Sequence, residues 1–255
     1  AGPYTSRDDL SYEPLADLLK QVATRQPSLL VLMGPFVDER HPLIASGQAN
    51  ASFHQLCQSV MQKVQLAVDA LAVNCRVVVL PSLHDVTHRS ILPQPCFPAE
   101  SHVGPFPSSF LRAPNPSVLR VNELDLAFVS LDVLKHLEQN SLIAGPNSND
   151  RPAALVSFIL QQQSFFPIYP PPIDVHIDTH HMEEGLSLLE MPDALFFASS
   201  LHPFVRIVNG VLAINLGNLV NANNTPGSFA EIKIAQVPSN SNASIVQRAN
   251  VEIVR

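Results

Sequence analysis

The chain has 255 residues, of which 46% are apolar, and no apolar run reaches the roughly 18 residues of a membrane span. We therefore predict a soluble protein of one large domain or two small ones, and the first four residues lack the features of a signal peptide. The net charge of −7, with only 15 Lys and Arg and no basic stripe, disfavours direct nucleic-acid binding, although a patch formed in three dimensions stays open.

The cysteine pattern favours free thiols. Cys57, Cys75 and Cys96 are odd in number and widely spaced, which is typical of a reducing compartment rather than a disulfide framework. A zinc site is not expected, because the sequence contains no C-x-x-C pair. Three N-x-S/T sequons are interpreted as chance products of Asn- and Ser-rich loops: Asn50, Asn223 and Asn242.

The first 80 residues read as two helix–strand pairs. Apolar residues at i, i+3, i+4 and i+7 predict a helix over 12–26, followed by strand Leu29–Met33. Ser52 and Gln55 form a capping-box pattern at the start of a second helix, which runs to about Val73. Strand Arg76–Leu80 follows, and both strands read as buried parallel strands.

The middle of the chain is rich in proline. The loop over 93–116 shows no clear periodicity, and a hairpin turning at Asn122-Glu123 follows it. We predict helices over 131–137 and 151–163, a polar turn over 145–150, and an apolar strand over 194–198. The 23 prolines against 9 glycines indicate that the long loops are stiff, notably those over 92–116 and 166–172.

The last quarter predicts antiparallel strands. Asn209-Gly210 is a type I′ turn signal, so 205–208 and 211–215 should form a hairpin. Alternation over 229–237 predicts another strand, with a final strand over 245–255 antiparallel to it. The chain thus begins with helix–strand units and ends with antiparallel strands. This order predicts an α/β fold in which a two-sheet β-sandwich is flanked by helices, and we expect residues 1–255 to form one domain.

Histidine and aspartate cluster after the predicted strands, in the set Asp38, His41, His84, Asp85, His88 and His202. One interpretation is a dinuclear metal centre for phosphate-ester hydrolysis, and the other is a group of polar loop residues that cap turns and helices. Counting ligands favours the second interpretation, because two scattered ligands do not hold a metal pair. No nucleophile elbow, P-loop or dinucleotide fingerprint is present.

Two further segments have both a functional and a structural interpretation. His176, Asp178 and His180 would share a face if they lay on a strand, but a solvated loop after Pro170-Pro171-Pro172 is the favoured interpretation. The aromatic and proline run over 165–171 is equally compatible with an exposed docking segment and with a rigid loop that covers the core.

Five strings occur in an order that is specific: G-P-Y-T at 2–5, L-M-G-P-F-V-D at 32–38, L-P-S-L-H-D-V-x-H at 80–88, L-P-Q-P at 92–95 and F-P-I-Y-P-P at 166–171. Together they closely resemble the B (second, accessory) subunit of DNA polymerase alpha–primase, over the whole chain. The B subunits of polymerases delta and epsilon share these strings less well.

The resemblance implies a nuclear scaffold protein without a catalytic role in DNA replication. It implies a catalytically inactive calcineurin-like metallophosphoesterase fold with an OB domain beside it. It further implies binding to the zinc-bearing C-terminal domain of the catalytic subunit, indirect links to primase and the replisome, weak or indirect DNA contact, and no cofactor. The family's first phosphoesterase strand, its OB domain and its N-terminal region are expected to lie outside these 255 residues.

The resemblance also gives the strand-end residues a meaning. Active calcineurin-like phosphoesterases read G-D-x-x-D and G-N-H-D at these loops, where this chain has Pro35 in place of the bridging Asp and Leu83 in place of the ligand Asn. Neither side chain can bind a divalent metal. The vestigial positions are then Pro35, Asp38, Leu83, His84, Asp85 and His202. The alternatives are a metal-dependent phosphoesterase and an accessory subunit of polymerase delta or epsilon.

The residues that replace the metal loops suggest where a partner does not bind. Phe36, Val37 and Leu83 are apolar, so we expect these loops to be packed shut and the partner to dock on another, broad surface. The acidic balance suits a partner with basic zinc modules.

Overall fold

The computed structural model describes residues 1–98, 107, 109–140, 150–236 and 244–255. The helices are α1 (Glu13–Arg25), α2 (Pro42–Ala45), α3 (Phe53–Asp69), α4 (Val133–Asn140), α5 (Arg151–Gln161), α6 (Met182–Leu186) and α7 (Ile245–Arg248). The strands are β1 (Leu29–Met33), β2 (Arg76–Leu80), β3 (Phe110–Arg112), β4 (Ser117–Val121), β5 (Leu124–Val129), β6 (Ala194–Phe197), β7 (Phe204–Val208), β8 (Val211–Asn215), β9 (Phe229–Ile234) and β10 (Ala249–Val254).

The described residues form two compact units. The first contains Ala1–Ser90, Gln94–Asn115 and Leu219–Gly227, and the second contains Ile91–Pro93, Pro116–Asn218 and Ser228–Arg255. The fold is mixed α/β, with parallel and mixed sheets flanked by helices, which confirms the predicted class. The assignment of all 255 residues to one domain stays a prediction.

The first unit is built on a short parallel sheet. β1 pairs with β2, with Leu29 opposite Arg76, and β2 pairs with β3 on its other side, in the order β1-β2-β3. α1 packs against α3 through the predicted apolar face of α1, and the capping box between Ser52 and Gln55 starts α3 as expected. The carboxyl ends of β1 and β2 lie side by side and release two loops at one edge of the sheet.

The second unit contains a five-stranded mixed sheet in the order β4-β5-β6-β8-β7. β5, β6 and β8 run parallel, while β4 and β7 are antiparallel edge strands. Phe128 and Phe196 stack with their ring centroids 4.7 Å apart. The hairpin between β7 and β8 turns at Asn209 (φ 51°) and Gly210 (φ 83°), so the predicted turn with two positive φ angles is confirmed. β9 and β10 form a separate antiparallel pair.

Several element assignments need correction. The segment over 245–255 begins as the short helix α7, and only Ala249–Val254 is a strand. The proline-rich loop over 93–116, expected to be irregular, contains β3, which the adjacent β2 recruits by parallel pairing. The short helices α2 and α6 were not foreseen. Of the polar turn over 145–150, only Asp150 lies within the described residues, where it caps α5 by accepting from the Ala153 amide.

Two general expectations can be compared with the structure. All three cysteines are free, as predicted, with Cys57 and Cys75 buried and Cys96 exposed. In the part of the chain that the structure describes, no helix combines the length and apolarity needed to cross a membrane. Asn242 and the last residue of the strand predicted over 229–237 lie outside the described residues.

Candidate functional site

Two loops meet where β1 and β2 end, and we call them the first loop (34–40) and the second loop (81–88). They are joined backbone to backbone: the Glu39 amide donates to the His84 carbonyl over 3.0 Å, and the Val86 amide donates to the Val37 carbonyl over 3.0 Å. Asp38 and Asp85 are paired across this junction as an isolated antiparallel bridge. The two carboxylates singled out in the sequence are therefore adjacent in the fold.

Asp85 is the central polar group of the junction. Its residue is 1% exposed, and its Oδ1 accepts from the amides of Phe36 (2.5 Å) and Val37 (3.2 Å), while its Oδ2 accepts from the amide of Ser82 (2.8 Å). A Cβ on Gly34 would lie only 2.2 Å from Asp85 Oδ2, so glycine is required there for the loop to approach the carboxylate. Asp85 is thus committed to holding both loops.

Burial dominates the acidity of this carboxyl. Removal from water raises the pKa of Asp85 from 3.8 to about 7, against the opposing effect of the three amide donors, and the nearby charge of Asp38 raises it further. The group therefore titrates near neutral pH inside the folded protein.

Apolar and aromatic packing closes the rest of the junction. Phe36, Val37 and Leu83 are buried, as is Pro35. The Phe36 ring stacks on Tyr4 at a centroid distance of 5.4 Å. The expectation that these apolar loop residues are packed shut is confirmed.

Asp38 and His84 each have a charged partner at the rim. Asp38 Oδ1 accepts from the Arg40 amide over 2.9 Å and from its guanidinium Nε over 3.2 Å. His84 Nδ1 lies 3.0 Å from Glu39 Oε1. Both pairs are local, since they stay within the two loops.

His41 and His88 have structural surroundings. Nε2 of His41 lies 2.8 Å from the Ser6 carbonyl, and its Nδ1 accepts from the Leu43 amide over 3.2 Å, which caps α2. The His88 ring packs on Phe97 at a centroid distance of 4.9 Å, and its burial lowers its pKa. His41 therefore caps a helix and His88 makes a loop contact, as the second interpretation of the sequence expected.

His202 lies in the second unit, on the loop after β6. Its Nε2 is 2.9 Å from Arg255 Nη2, and its Nδ1 is 3.0 Å from the Pro203 carbonyl. Because a guanidinium only donates, Nε2 must accept, and the proton then sits on Nδ1 and is donated to Pro203. The Nε2 lone pair of His202 is therefore engaged by the Arg255 guanidinium.

Sequence reasoning missed the residue that shapes this loop. Asn215 at the end of β8 is fully buried. Its Oδ1 accepts from the amides of Ser199 (3.1 Å) and Gly217 (3.2 Å), and its Nδ2 donates to the carbonyl of Leu201 (2.9 Å). A polar residue at the end of an apolar strand, as in A-I-N, is the signal that could have found it.

Asp132 holds the same loop from the other side. Its Oδ1 accepts from Ser199 Oγ (2.5 Å), and its Oδ2 accepts from the amide (2.9 Å) and hydroxyl (2.7 Å) of Ser200. It also begins α4, since the Lys135 amide donates to Asp132 Oδ1 over 3.2 Å. The serines at 199 and 200 are therefore loop anchors.

Gln94 has the equivalent role for the second loop in the first unit. The side chain is buried, and its Nε2 donates to the carbonyls of Ser82 (2.9 Å) and Arg89 (2.8 Å). Its Oε1 accepts from Asn115 Nδ2 over 3.1 Å. The L-P-Q-P string thus contains the glutamine that fixes the second loop.

The second histidine segment is a solvated loop, as favoured from the sequence. His176, His180 and His181 are exposed. His181 Nδ1 lies 2.7 Å from Asp178 Oδ2, and this contact raises the pKa of His181 and lowers that of Asp178. Within the described ranges, no three His, Cys, Asp or Glu residues are placed to hold a metal ion.

Comparison with known proteins assigns the family. The family model for the B subunit of DNA polymerase alpha/epsilon matches residues 1–206. The chain therefore belongs to the DNA polymerase alpha/epsilon B-subunit family, which confirms the resemblance read from the sequence.

Curated relatives agree with this family. The B subunit of DNA polymerase alpha from Mus musculus is 27% identical over 237 residues, which cover 93% of this chain and 39% of the relative. The protein of the same name from Schizosaccharomyces pombe is 30% identical over 251 residues, covering 96% of this chain and 43% of the relative. The protein of the same name from Drosophila melanogaster is 31% identical over 236 residues, covering 92% of this chain and 37% of the relative. This chain thus spans about two fifths of the length of these relatives.

Proposed function

We propose that this chain is the inactivated calcineurin-like phosphoesterase domain of a non-catalytic accessory subunit of DNA polymerase alpha–primase. In this role the protein acts in the nucleus during initiation of DNA replication. It binds the zinc-bearing C-terminal domain of the catalytic subunit, and through it primase and the replisome. The observation that carries the proposal is the family match over residues 1–206, together with relatives named as the B subunit of polymerase alpha.

The strand-end loops support the inactive assignment. At the vestigial positions, Pro35 and Leu83 offer no ligand atom, and both are buried. Asp85 uses its oxygens to accept from three backbone amides. His202 accepts a hydrogen bond from Arg255 through Nε2. The retained residues have acquired structural contacts in place of metal coordination.

A co-purification experiment tests the partner. The whole protein, co-expressed with the C-terminal domain of the polymerase alpha catalytic subunit, is expected to purify with it at a one-to-one ratio. Glu39→Lys reverses a charge at the rim of the two loops and should leave the complex intact, because the partner docks elsewhere. Loss of the complex in a folded Glu39→Lys protein would place the interface on these loops, and failure of the wild-type pair to co-purify would refute the proposed function.

A metal and activity assay tests the inactive assignment. The purified protein should bind no stoichiometric Mn²⁺ and should hydrolyse no phosphomonoester or phosphodiester above background. In the complex, zinc should match the content of the catalytic subunit alone. Mn²⁺-dependent turnover that disappears in an Asp38→Ala/His84→Ala variant would show a working phosphoesterase.

A further inference from the structure

The aromatic and proline run in the second unit has two sides. Phe165 and Phe166 are buried and cover the core, whereas Tyr169 is 92% exposed and Ile173, two residues beyond the run, is 98% exposed. From the sequence, a core-covering loop and an exposed docking segment were equal alternatives. The start of the run fits the first alternative, and Tyr169 fits the second. A tyrosine and an isoleucine held almost wholly in water, four positions apart, are accessible to a partner.

This surface is fixed in place rather than loose. Behind Ile173, Val175 is buried, and its amide donates to the Pro172 carbonyl over 3.0 Å. Leu92 donates its amide to the His176 carbonyl (2.8 Å) and accepts from the Asp178 amide (2.6 Å), which adds a strand-like bridge. Proline rings further restrict the backbone. A backbone that is already ordered loses little entropy when it binds, so an exposed apolar group here is effective.

The charged residues over 169–184 are mainly acidic, and the three exposed histidines of this segment are His176, His180 and His181. Residues 152–205 contain six Asp and Glu and no Lys or Arg. We define the acidic–apolar surface by six exposed residues of the segment over 169–184, namely Tyr169, Ile173, Asp174, Met182, Glu183 and Glu184. Such a surface repels nucleic acid and anionic membranes, and it attracts cationic side chains.

We propose that the acidic–apolar surface docks a basic segment of another protein, one that carries Lys or Arg between apolar side chains. Ile173 and Tyr169 supply the apolar anchors, and Glu183 and Glu184 receive the cations. Interfaces commonly place their binding energy in a few such anchors, with charges at the rim steering the approach. The proposal does not depend on which polymerase chain, if any, this protein accompanies.

Site-directed photo-crosslinking tests the occupant. The photoreactive residue p-benzoylphenylalanine replaces Tyr169 in the whole protein, in its native assembly, and the crosslinked peptide is sequenced. The expected product is a segment of another protein in which Lys or Arg alternates with apolar residues. Crosslinks only to the protein's own chain, to DNA or to an acidic segment would overturn the proposal, as would no crosslink at all. The same probe at Leu66, an exposed leucine of α3 (69%), serves as the positional control.

The sequenced segment, made as a synthetic peptide, then tests the two kinds of contact. Ile173→Asp and Glu183→Lys/Glu184→Lys should each weaken peptide binding at least about tenfold, and added salt should weaken wild-type binding. Leu66→Asp introduces a charge at an exposed apolar residue of α3, and Asp69→Lys reverses one acidic charge there; both should leave affinity unchanged. Wild-type affinity in folded Ile173→Asp protein would overturn the proposal. A segment from a protein other than the catalytic subunit would support it and leave the co-purification experiment to judge the proposed function.

Discussion

At the scale of single residues, Asp85 acts as a clamp on the first and second loops. Its two oxygens accept three amide hydrogen bonds, two of them from residues that are distant in sequence. Asp85→Asn keeps the shape but turns an NH₂ group toward the Ser82 amide, so a donor meets a donor. We expect the free energy of unfolding of the whole protein to fall by about 1–3 kcal/mol, measured by urea denaturation.

The matched control for this change is Asp17→Asn. Asp17 has a side chain 72% exposed and pairs with Lys20 on the surface of α1. We expect less than about 0.5 kcal/mol from it, because exposed pairs contribute little. Equal stability losses in the two variants would show that the three amide contacts of Asp85 contribute nothing.

The raised pKa of Asp85, about 7 against 3.8, also predicts a pH dependence. Between these values the folded protein holds a proton that the unfolded chain has released. The stabilising contribution of the protonated group is therefore full below about pH 4 and is lost as pH rises towards 7. At about 1.4 kcal/mol per pKa unit, the loss is at most about 4 kcal/mol.

Urea denaturation from pH 4.5 to 7.5, compared between wild type and Asp85→Asn, measures this dependence. Because asparagine does not titrate, the stability difference between the two proteins isolates the carboxyl group. We expect the advantage of the wild type to shrink as pH rises. A difference that stays constant over this range would contradict a raised pKa for Asp85.

The sequence identified these positions but not their contacts. Pro35 and Leu83 could be found because they depart from the active pattern after the two strands, and Asp85 because it matches that pattern. The backbone amides that donate to Asp85 cannot be recognised in the sequence, because every residue except proline has a backbone N–H group. The need for glycine at 34 likewise arises only once the carboxylate lies against it.

At the scale of elements, the apolar periodicity predicted the helices and strands whose formation depends on local sequence. The strands β1 and β2, the capping box of α3 and the Asn-Gly hairpin were predictable, because apolar pattern, cap and turn chemistry agree there. β3 was not, since Phe110–Arg112 is too short to show alternation and becomes a strand by pairing with β2. The start of α1 had no capping signal in the sequence, because Tyr12 (φ 61°) precedes the helix and makes no side-chain cap hydrogen bond.

Asn215 offers a test of how an element end controls a loop. Asn215→Ala leaves the amides of Ser199 and Gly217 and the carbonyl of Leu201 without their side-chain partner. Buried unpaired groups cost about 1–3 kcal/mol each when water cannot replace the partner. We expect a loss of about 2–4 kcal/mol in chemical denaturation, with faster amide exchange at Ser199 and Gly217.

Asn221→Ala provides the comparison for Asn215. Asn221 is exposed, and its Nδ2 donates to Thr225 Oγ1 and the Pro226 carbonyl, where water can take its place. Its loss should stay below about 1 kcal/mol, without faster exchange at Ser199. Unchanged exchange at Ser199 in Asn215→Ala would show that the loop does not depend on this side chain.

At the scale of the whole molecule, the open edge of β1 determines how the chain should behave in isolation. In the described residues, β1 is an edge strand paired along its length only with β2. At its end, the Met33 carbonyl also accepts from the Gly2 amide and the Tyr4 hydroxyl. Leu29, Leu30 and Val31 are only half-buried there. An apolar strand with an unpaired edge is a template for association with another chain.

We therefore expect residues 1–255, expressed alone, to aggregate or to unfold without a sharp transition. The whole protein, purified with the catalytic subunit proposed as its partner, should instead melt cooperatively, because further chain or a partner can cover the apolar edge. Light scattering and thermal denaturation monitored by near-UV circular dichroism distinguish these outcomes at about 10 µM, a concentration at which exposed strand edges associate. A monomeric 255-residue polypeptide with a sharp thermal transition would show that the β1 edge is tolerated in water and that these residues fold independently.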